Sequence, residues 1–401
     1  MSVPKLRFDG FSGNWVTTQL GNICSFTQGV QIPQSEQINE ERDSYIRYLY
    51  IRDFFSDKFK CYVPNIYPEK IIHPHEIMMV NTGNTTGEAY TGRYGVLSNN
   101  SFKIGYDLAH FNDQFMYLFC SSELAQNQIK KFFNAGGQPH LGHKNISQIL
   151  ISYPKKEEQT KIASFLSAVD EKISQLTRKH ELLSQYKQGM MQKLFSQQIR
   201  FKADDGSEFG EWKITSIKDA VSFIKDGTHG THQDDPSSNL FLLSAKNLQN
   251  GKIVIDDKDR KINQKEFDSI YKNYKLQDGD ILLSVVGTIG RVAIFKDYYE
   301  SYAFQRSVAF MRFKKALPEF IYQLFLAKDF QNELLVRQVV SAQPGIYLGD
   351  LSKIDIKLPC LEEQTKIANF LSVIDQKIEV VAQQIEQAKQ WKKGLLQQMF
   401  V

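Results

Sequence analysis

The sequence lacks three features that would place a protein in a membrane or outside the cell. No apolar run approaches the roughly eighteen residues that a transmembrane helix needs. The N-terminal residues lack the apolar stretch of a signal peptide. The four cysteines are isolated and have neither disulfide-framework nor metal-ligand spacing. We therefore expect a cytoplasmic protein with reduced thiols, no membrane association and no bound metal.

Motifs for catalysis are also missing. The sequence contains no glycine-rich nucleotide loop, no nucleophile elbow and no zinc-protease helix motif. It also lacks the Asn/Asp-Pro-Pro-aromatic tetrapeptide that is typical of amino-methyltransferases. The segment from His229 to Asp235 comes nearest to a metal cluster, but its spacing matches no common zinc pattern. We expect a polar surface loop there, with a DNA contact left open, and we predict no catalytic residue and no cofactor site.

Charge is nearly balanced along the chain. The formal net charge is +4 over 401 residues. Lys and Arg equal Asp and Glu in residues 1–153, 201–358 and 359–401, so the whole excess lies in residues 154–200. Bulk attraction to a polyanion is therefore weak. A nucleic-acid site would have to be a local patch that uses side-chain readout.

What the sequence does contain is an internal repeat. Residues 157–173 match residues 362–378 at thirteen of seventeen positions, with an offset of 205. Weaker matches with a similar offset include Trp15 with Trp212 and the Arg-Phe pairs that begin at Arg7 and Arg200. Such repeats override other fold signals. They predict two copies of one unit, which suits a target with two binding sites.

Each repeat opens a long helix. Pro154 and Pro359 each end a strand, and two glutamates follow in a first turn where the helix dipole favours them. Apolar residues then recur alternately four and three apart over nearly five heptads, which predicts a coiled-coil seam. Lys187 and Lys392 occupy the same step and are expected to fix the register. The predicted seams are Ile162, Leu166, Val169, Ile173, Leu176, His180, Leu183, Lys187, Met190 and Leu194, and Ile367, Leu371, Ile374, Ile378, Val381, Ile385, Ala388, Lys392, Leu395 and Met399.

Chain connectivity predicts how the two helices run. The helix in residues 154–200 leaves the globular segment 1–153 and delivers the chain to the globular segment 201–358. The helix in residues 359–401 then has only the first helix as a seam partner. We therefore predict two antiparallel helices with a globular segment at each end and a pseudo-twofold axis. Both globular segments alternate short β-rich runs with turns and carry one late helical run, near 112–133 and 318–337, which predicts an α+β fold.

Polar loops occupy matching places in the two globular segments. Glycines in such loops let the backbone approach a ligand, and Asn, Thr, Gln and Arg side chains suit base edges and phosphates. Each loop alone is more often a simple turn, but three coincident pairs favour a binding edge. The candidate DNA-binding residues are Asn81, Thr82, Asn84, Thr85, Arg93, Asn99, Asn100, Gln138 and His140 in the first segment, and Thr228, His229, Lys246, Thr288, Arg291, Gln305, Arg306 and Gln343 in the second.

The helices have matched polar positions outside the seam. A seam constrains only its inner positions, so identical outer residues predict that each copy presents the same surface to the same partner. A plain dimerisation coiled coil is the simpler interpretation of the seam alone. The candidate partner-binding residues are Glu157, Gln159, Lys161 and Asp170 in the first copy, and Glu362, Gln364, Lys366 and Asp375 in the second.

These motifs resemble those of one protein family. The pattern Pro-x-x-Glu-Glu-Gln-x-x-Ile-Ala-x-Phe-Leu-Ser-x-x-Asp-x-x-Ile occurs at residues 154–173 and again at 359–378. Together with the segment starts at 3–8 and 209–212, it makes the chain resemble the specificity subunit of type I restriction–modification systems over essentially its full length. The resemblance implies two target-recognition domains, each of which reads one half of a bipartite double-stranded DNA site in the major groove.

The resemblance also implies partners. The antiparallel helices would set the spacing between the recognition domains and dock two modification (methyltransferase) subunits, which motor-nuclease restriction subunits can join. S-adenosylmethionine, ATP and Mg would belong to those partners, and this chain would bind no cofactor. Two other classes stay open at this point: a single-chain modification–restriction enzyme, which the missing motifs disfavour, and a structural coiled-coil adaptor without DNA recognition.

Overall fold

The computed structural model describes residues 3–133, 139–272, 274–339 and 344–401. By packing, the chain divides into two compact units. The first unit comprises Met1–Thr177 and Gln383–Val401, and the second comprises Arg178–Ala382. Each unit therefore holds one globular segment together with parts of both long helices.

The first half of the described chain carries short strands followed by helices. Its strands are β1 (Val16–Gln19), β2 (Cys24–Gln28), β3 (Tyr45–Leu49), β4 (Tyr62–Pro64), β5 (Ile71–Ile72), β6 (Ile77–Val80), β7 (Ala89–Tyr90), β8 (Gly95–Leu97), β9 (Ser101–Tyr106) and β10 (Leu150–Tyr153). Its helices are α1 (Asp113–Ser121), α2 (Glu123–Lys130), α3 (His143–Ile146) and the long α4 (Lys156–Phe195).

The second half repeats this order with a few additions. Its strands are β11 (Lys213–Ser216), β12 (Val221–Asp226), β13 (Leu240–Leu243), β14 (Leu248–Gln249), β15 (Lys252–Ile253), β16 (Lys261–Ile262), β17 (Ile281–Ser284), β18 (Val292–Ile294), β19 (Tyr302–Phe304), β20 (Val308–Phe313) and β21 (Asp355–Leu358). Its helices are α5 (Ile217–Ala220), α6 (Gln264–Tyr271), α7 (Pro318–Leu326), α8 (Lys328–Val336), α9 (Leu348–Ser352) and the long α10 (Leu361–Met399).

The two globular segments share one sheet plan. An antiparallel sheet has the order β2-β9-β6-β7 in the first segment and β12-β20-β17-β18 in the second. A second sheet contains one parallel pair in each segment, β3 with β8 and β13 with β19. The closing strands pair antiparallel with the opening ones, as β1 with β10 and β11 with β21. The predicted α+β fold with an internal repeat is therefore confirmed.

The strands β6 and β17 are buried along their whole length. Ile77 and Met79 of β6 pack in the core that contains α1, whereas Met78 packs with the second sheet. In β17, Ile281 likewise faces the helices and Leu282 the second sheet. A strand covered on both faces reads as a continuous apolar run and not as an alternating one. The polar loops that follow these strands are therefore each held by a fully buried strand.

The single late helical run predicted in each segment is wrong. Residues 113–130 form two helices that are separated at Ser122, and residues 318–336 form two that are separated at Ala327. Ser122 has an extended backbone, and its hydroxyl accepts a hydrogen bond from the amide of Ala125. This is an N-cap, so a new helix begins there. Ala327 is also extended but has no side-chain cap, and apolar spacing alone did not reveal either break.

The long helices pair within each unit. In the first unit Leu166 near the start of α4 shares a core with Leu395 near the end of α10, and in the second Leu194 shares a core with Leu371. The start of one helix thus meets the end of the other, and the helices run antiparallel. All twenty predicted seam positions are buried or half-buried, but Met191, which was not predicted, is more buried than its neighbour Met190. Within the described residues, no helix has the length and apolarity needed to cross a membrane.

The two seam lysines, Lys187 and Lys392, are both paired. Nζ of Lys187 lies 2.6 Å from Oδ1 of Asp375, and Nζ of Lys392 lies 2.6 Å from Oδ1 of Asp170. Each pair joins the two helices within one unit. In the second unit Gln323 of α7 also donates to Asp375, at 2.7 Å. A charged group on a seam must find a partner at one register, which agrees with the expected role in fixing the register.

Candidate nucleic-acid interface

Three polar loops of the first segment meet at one edge. The backbone amide of Asn81 donates to the carbonyl of Asn100 at 3.0 Å, and the amide of Leu141 donates to the carbonyl of Asn81 at 2.8 Å. The amide of Gly83 donates to the carbonyl of Pro139 at 3.2 Å. Residues 81–87, 98–101 and 139–141 are therefore joined by backbone hydrogen bonds. We call them the first three-loop edge.

The first edge exposes most of the side chains predicted for DNA binding. Thr82 Oγ1 lies 3.0 Å from Nδ1 of His140, so these two residues support one another across the loops. Asn81 is an exception, because it is buried with 5 % exposure, its Nδ2 donates to the carbonyl of Asn99 at 3.5 Å and its Oδ1 accepts from the hydroxyl of Thr82 at 3.3 Å. This buried position suits a side chain that stabilises the loop better than one that contacts a base. Gln138 lies outside the described residues. The exposed candidates are Asn84, Asn99, Asn100 and His140, and Thr82 and Thr85 are half-buried.

The equivalent loops of the second segment also meet. The amide of Gly287 donates to the carbonyl of Pro344 at 2.9 Å, and the amide of Val285 donates to the carbonyl of Ser307 at 2.9 Å. Residues 286–291, 305–307 and 344–346 thus form a second three-loop edge. Arg306 extends it, because its backbone amide donates to the carbonyl of Thr228 at 3.1 Å. The loops that were matched between the two segments in the sequence therefore meet within each segment, as far as their residues are described.

Side chains of the second edge divide into exposed and engaged groups. Thr288 and Arg306 are exposed, whereas Gln305 is half-buried. Arg291 donates through Nη1 to the carbonyls of Ala245, at 3.4 Å, and Lys246, at 3.2 Å. Its guanidinium thus ties the edge to the neighbouring turn while staying half-exposed. Gln343 lies outside the described residues.

Charged neighbours hold two further candidates. Nζ of Lys246 lies 2.7 Å from Oδ1 of Asp259, and this hydrogen bond raises the pKa of Lys246. Arg93 donates to both carboxylate oxygens of Asp57 at 3.1 Å. Asp57 also accepts from Arg47, and hydrogen bonds from Arg47 and Arg93 lower the pKa of Asp57. Arg93 is therefore engaged in an ion pair beside the first edge, with its side chain 27 % exposed.

The histidine-rich loop of the second segment is a hydrogen-bonded turn. His229 Nε2 lies 2.7 Å from a carboxylate oxygen of Asp226. His232 lies between two groups, with Nε2 2.7 Å from Thr228 Oγ1 and Nδ1 2.6 Å from Glu266. No group of three potential ligands that could hold a metal occurs among the residues the structure describes. Thr228, which sequence analysis proposed as a DNA contact, is thus fixed by a histidine behind it.

Glycine is required where each edge meets the sheet. A Cβ atom added to Gly29 would lie 2.0 Å from the carbonyl oxygen of Ser98, and one added to Gly227 would lie 2.1 Å from that of Phe304. Both contacts are with backbone, which cannot move aside cheaply. Both glycines directly follow equivalent strands, β2 and β12. The structure gives the physical reason, which is a close backbone approach beneath both edges.

The predicted outer position of Gln159 and Gln364 is wrong. Both residues are buried, with 0 % and 1 % exposure. Gln159 accepts from the amide of Asn112 at 2.9 Å and donates to the carbonyl of Pro154, and Gln364 accepts from the amide of Leu317 at 2.9 Å and donates to that of Pro359. Their identity in the two repeats follows from docking each helix onto its own globular segment. They are not available to a partner.

The remaining matched helix residues have mixed surroundings. Asp170 and Asp375 hold the seam lysines, so an internal role accounts for their identity. Lys161 lies over the ring of Phe8 at 5.8 Å, and Lys366 forms an ion pair with Asp204. Glu157 and Glu362 are exposed in the first turns of α4 and α10. Of the eight candidates, these two glutamates have the surroundings that best suit a partner surface.

A duplicated ion pair at the helix starts was not predicted from the sequence. Arg7 donates two hydrogen bonds to the carboxylate of Glu158, both at 2.8 Å, and Arg200 donates two to the carboxylate of Glu363, at 3.0 and 2.7 Å. The Nε1 atom of Trp212 donates to the same carboxylate of Glu363 at 3.0 Å. Both carboxylates are buried, with 3 % and 0 % exposure. The matched Arg-Phe pairs were the available signal, but nothing in the sequence identified their partners.

Comparisons with known proteins agree with this geometry. The family model described as "Type I restriction modification DNA specificity domain" matches this chain twice, at residues 12–184 and 210–390. These two matches cover most of the chain. The chain belongs to this family. Specificity subunits are the non-catalytic DNA-recognition components of restriction–modification systems, so the alternative of a single-chain enzyme is rejected.

Individual relatives carry the same description. The chain is 29 % identical over 397 residues to the type I restriction enzyme MjaVIII specificity subunit of Methanocaldococcus jannaschii, which covers 96 % of this chain and 91 % of the relative. It is 22 % identical to the EcoBI specificity subunit of Escherichia coli, over 94 % of this chain and 82 % of the relative. The match therefore extends over both repeats.

Solved structures show the same fold. The S subunit of a type I restriction–modification system from M. genitalium matches with a TM-score of 0.59 and 14 % identity, over 100 % of this chain and 99 % of that one. A chain from a study of complex assembly and conformational transition of the type I R-M system matches with a TM-score of 0.60 and 17 % identity, over 96 % and 97 %. At these identities the likeness concerns the fold.

Proposed function

We propose that this chain reads a bipartite sequence in double-stranded DNA, with one half of the site contacted by each three-loop edge. The observation that carries the proposal is the duplicated edge. Two copies of one sheet plan join three polar loops by the same kind of backbone hydrogen bonds, yet they present different side chains. A shared scaffold with two different polar surfaces suits a protein that reads two different half-sites.

The two edges offer complementary chemistry for base readout. The first edge presents mainly amides, including Asn84, Asn99 and Asn100, whereas the second adds the cation of Arg306 and the half-exposed Arg291. Asparagine pairs well with the major-groove edge of adenine, and arginine pairs well with guanine or with phosphate. These groups suit direct readout. Because net charge is small, such local contacts would supply most of the specificity.

The long helices would set the distance between the half-sites and dock two methyltransferase subunits. α4 has 40 residues and α10 has 39, which corresponds to about 60 Å at about 1.5 Å per residue. Glu157 and Glu362 occupy equivalent exposed first turns, so one partner surface could meet both. S-adenosylmethionine, ATP and Mg would be bound by the modification and motor-nuclease subunits, and the assembled complex would act in the cytoplasm.

The loop contacts can be tested with two substitutions, one on each edge. Asn84→Ala and Arg291→Ala should each weaken specific DNA binding by roughly 1–3 kcal/mol if the side chains reach base edges. Binding of the assembled modification complex to its mapped target and to a scrambled duplex would be measured by fluorescence anisotropy. An equal loss on both duplexes would assign the residue to phosphate. No loss on either duplex for either variant would place the DNA-binding edge elsewhere.

The spacing function can be tested by lengthening both helices. One heptad added in register to α4 and to α10 adds about 10.5 Å, close to three base pairs at about 3.4 Å each. Insertion into one helix alone would leave apolar seam positions without partners and serves as the control. The added base pairs also rotate the second half-site by roughly 100°, so binding would weaken unless the DNA twists. An active variant that methylates sites with the parental spacer would contradict this function.

A further inference from the structure

The loop between β3 and β4 exposes two phenylalanines. Phe55 is 62 % exposed and Phe59 is 60 % exposed. They belong to a run of six consecutive exposed residues, 55–60. We call residues 51–60 the β3–β4 loop. Exposing two large apolar rings on one loop to water is energetically unfavourable, and a bound partner that covered the rings would remove this cost.

The acidic and basic side chains of this loop have different surroundings. Its two acidic residues are already paired, because Asp53 accepts from Arg47 at 2.7 Å and Asp57 accepts from both Arg47 and Arg93. The cations Arg52 and Lys58 lie over the Phe59 ring, at 5.9 and 5.4 Å from its centroid. Lys60 is also exposed. Apart from the paired carboxylate of Asp57, whose side chain is 53 % exposed, the exposed surface of the loop is thus mainly aromatic and cationic.

The loop adjoins the first three-loop edge. The ring of Phe55 packs edge-on against Tyr90, with centroids 4.9 Å apart. Tyr90 lies in β7, which pairs with β6 immediately before residues 81–87 begin. The ion pair between Asp57 and Arg93 provides a second connection. The aromatic and cationic surface is therefore continuous with the residues proposed to read DNA.

The equivalent connection in the second segment has a different structure. Between β13 and β16 the chain forms the β14–β15 hairpin, and Leu248 and Ile253 of this hairpin are buried in a core. Lys252 at its tip pairs with Glu379 at 3.0 Å. The shared sheet plan is thus compatible with a connection that packs its apolar residues into the core of its own segment. The exposure of Phe55 and Phe59 is particular to the first segment and is not imposed by the shared sheet plan.

We propose that the β3–β4 loop is a further DNA contact, in which Phe55 and Phe59 pack against bases or sugars beside the first half-site and Arg52, Lys58 and Lys60 meet flanking phosphates. This inference rests on the proposed function. Proteins that contact DNA outside direct readout use apolar side chains with flanking cations in this way. A protein partner would have to bring acidic groups to the same cations. The cations and the continuity with the first edge favour DNA.

The test separates ring contacts from charge contacts. The assembled modification complex would be titrated at several salt concentrations with a duplex that carries the mapped target sequence. Phe55→Ser/Phe59→Ser should weaken binding on the order of tenfold or more without changing the salt slope. Arg52→Gln/Lys58→Gln/Lys60→Gln should reduce the slope of log K against log salt by about 2–3.

The matched control is Leu108→Ser. Leu108 is 50 % exposed and follows the end of β9 that is remote from residues 98–101. Circular dichroism would show whether each variant is folded, and the charge variant tests the proposal even if the apolar variant does not fold. Binding of both loop variants equal to that of the control would overturn the inference, as would impaired assembly with unchanged binding per complex, which would indicate a protein contact. Failure of the wild-type complex to bind the target duplex specifically would instead refute the proposed function.

Discussion

Removing the guanidinium of Arg200 should destabilise the second unit. This side chain donates to both carboxylate oxygens of Glu363, at 3.0 and 2.7 Å, and also to the carbonyl of Gly210 at 2.7 Å. Glu363 has 0 % exposure, whereas the side chain of Arg200 is 22 % exposed. Arg200→Ala therefore leaves a buried carboxylate with one remaining side-chain donor, the indole of Trp212 at 3.0 Å.

The expected loss follows from the burial of the carboxylate. Removing one partner of a buried ion pair typically costs about 3–5 kcal/mol, because the other charge stays out of water without compensation. Since Trp212 still donates to Glu363, we expect the lower end, about 3 kcal/mol. Adding Glu363→Gln to Arg200→Ala should recover part of this loss, because a neutral amide costs less to bury than a charge.

Tryptophan fluorescence can report on this unit alone. The chain has three tryptophans, and Trp15 and Trp391 both belong to the first unit. In a Trp15→Phe/Trp391→Phe background, urea unfolding followed by fluorescence reports on Trp212. The control is Lys202→Ala, which breaks an exposed ion pair with Glu208 and should leave the unfolding midpoint nearly unchanged. A loss for Arg200→Ala no larger than for this control would refute the reasoning.

Three further perturbations have expected outcomes. Asp375→Ala should lower the free energy of unfolding by about 2–3 kcal/mol, and Asp170→Ala should lower it by about 1 kcal/mol. The difference is expected because Lys187, the partner of Asp375, is 12 % exposed whereas Lys392, the partner of Asp170, is 24 % exposed, and because Gln323 also loses its acceptor in Asp375→Ala. Urea unfolding of each variant would measure both losses. Burial lowers the pKa of His143 below its usual 6.5, so its stabilising contribution should be present above that pH and be lost as the pH falls toward the folded-state pKa. His143→Phe should remove that part of the pH dependence of the urea midpoint. Gly227→Ala should cost at least about 1–3 kcal/mol and weaken DNA binding, whereas Gly210→Ala, with open space around its Cβ, should do neither.

The repeated features were predictable from the sequence. The antiparallel helices follow from the seam period and from connectivity, and none of the predicted seam positions is exposed. The three-loop edges were also predictable, because matched polar loops follow matched strands. Both predictions rest on periodicity or repetition, which a single sequence records directly.

The remaining features depend on contacts between distant residues. The burial of Gln159 could not be predicted, because its hydrogen-bond partners are backbone atoms that lie about fifty positions earlier in the chain as well as nearby. The pairing of Arg7 with Glu158 spans 151 positions. The break at Ser122 depends on a local cap that competes with a strong apolar period. Sequence pattern alone also gave no indication that the β3–β4 loop would leave its phenylalanines exposed.

Exchange of the second globular segment should change one half-site and leave the other unchanged. Residues 201–358 would be replaced by the equivalent segment of a relative, and the chimaera would be assembled with its methyltransferase partners. The methylated sequence would then be mapped across a genome. We predict that one half of the bipartite site changes while the other half and the spacer stay the same. A chimaera that methylates the parental sequence, or one in which both halves change, would contradict the claim that each three-loop edge reads its own half-site.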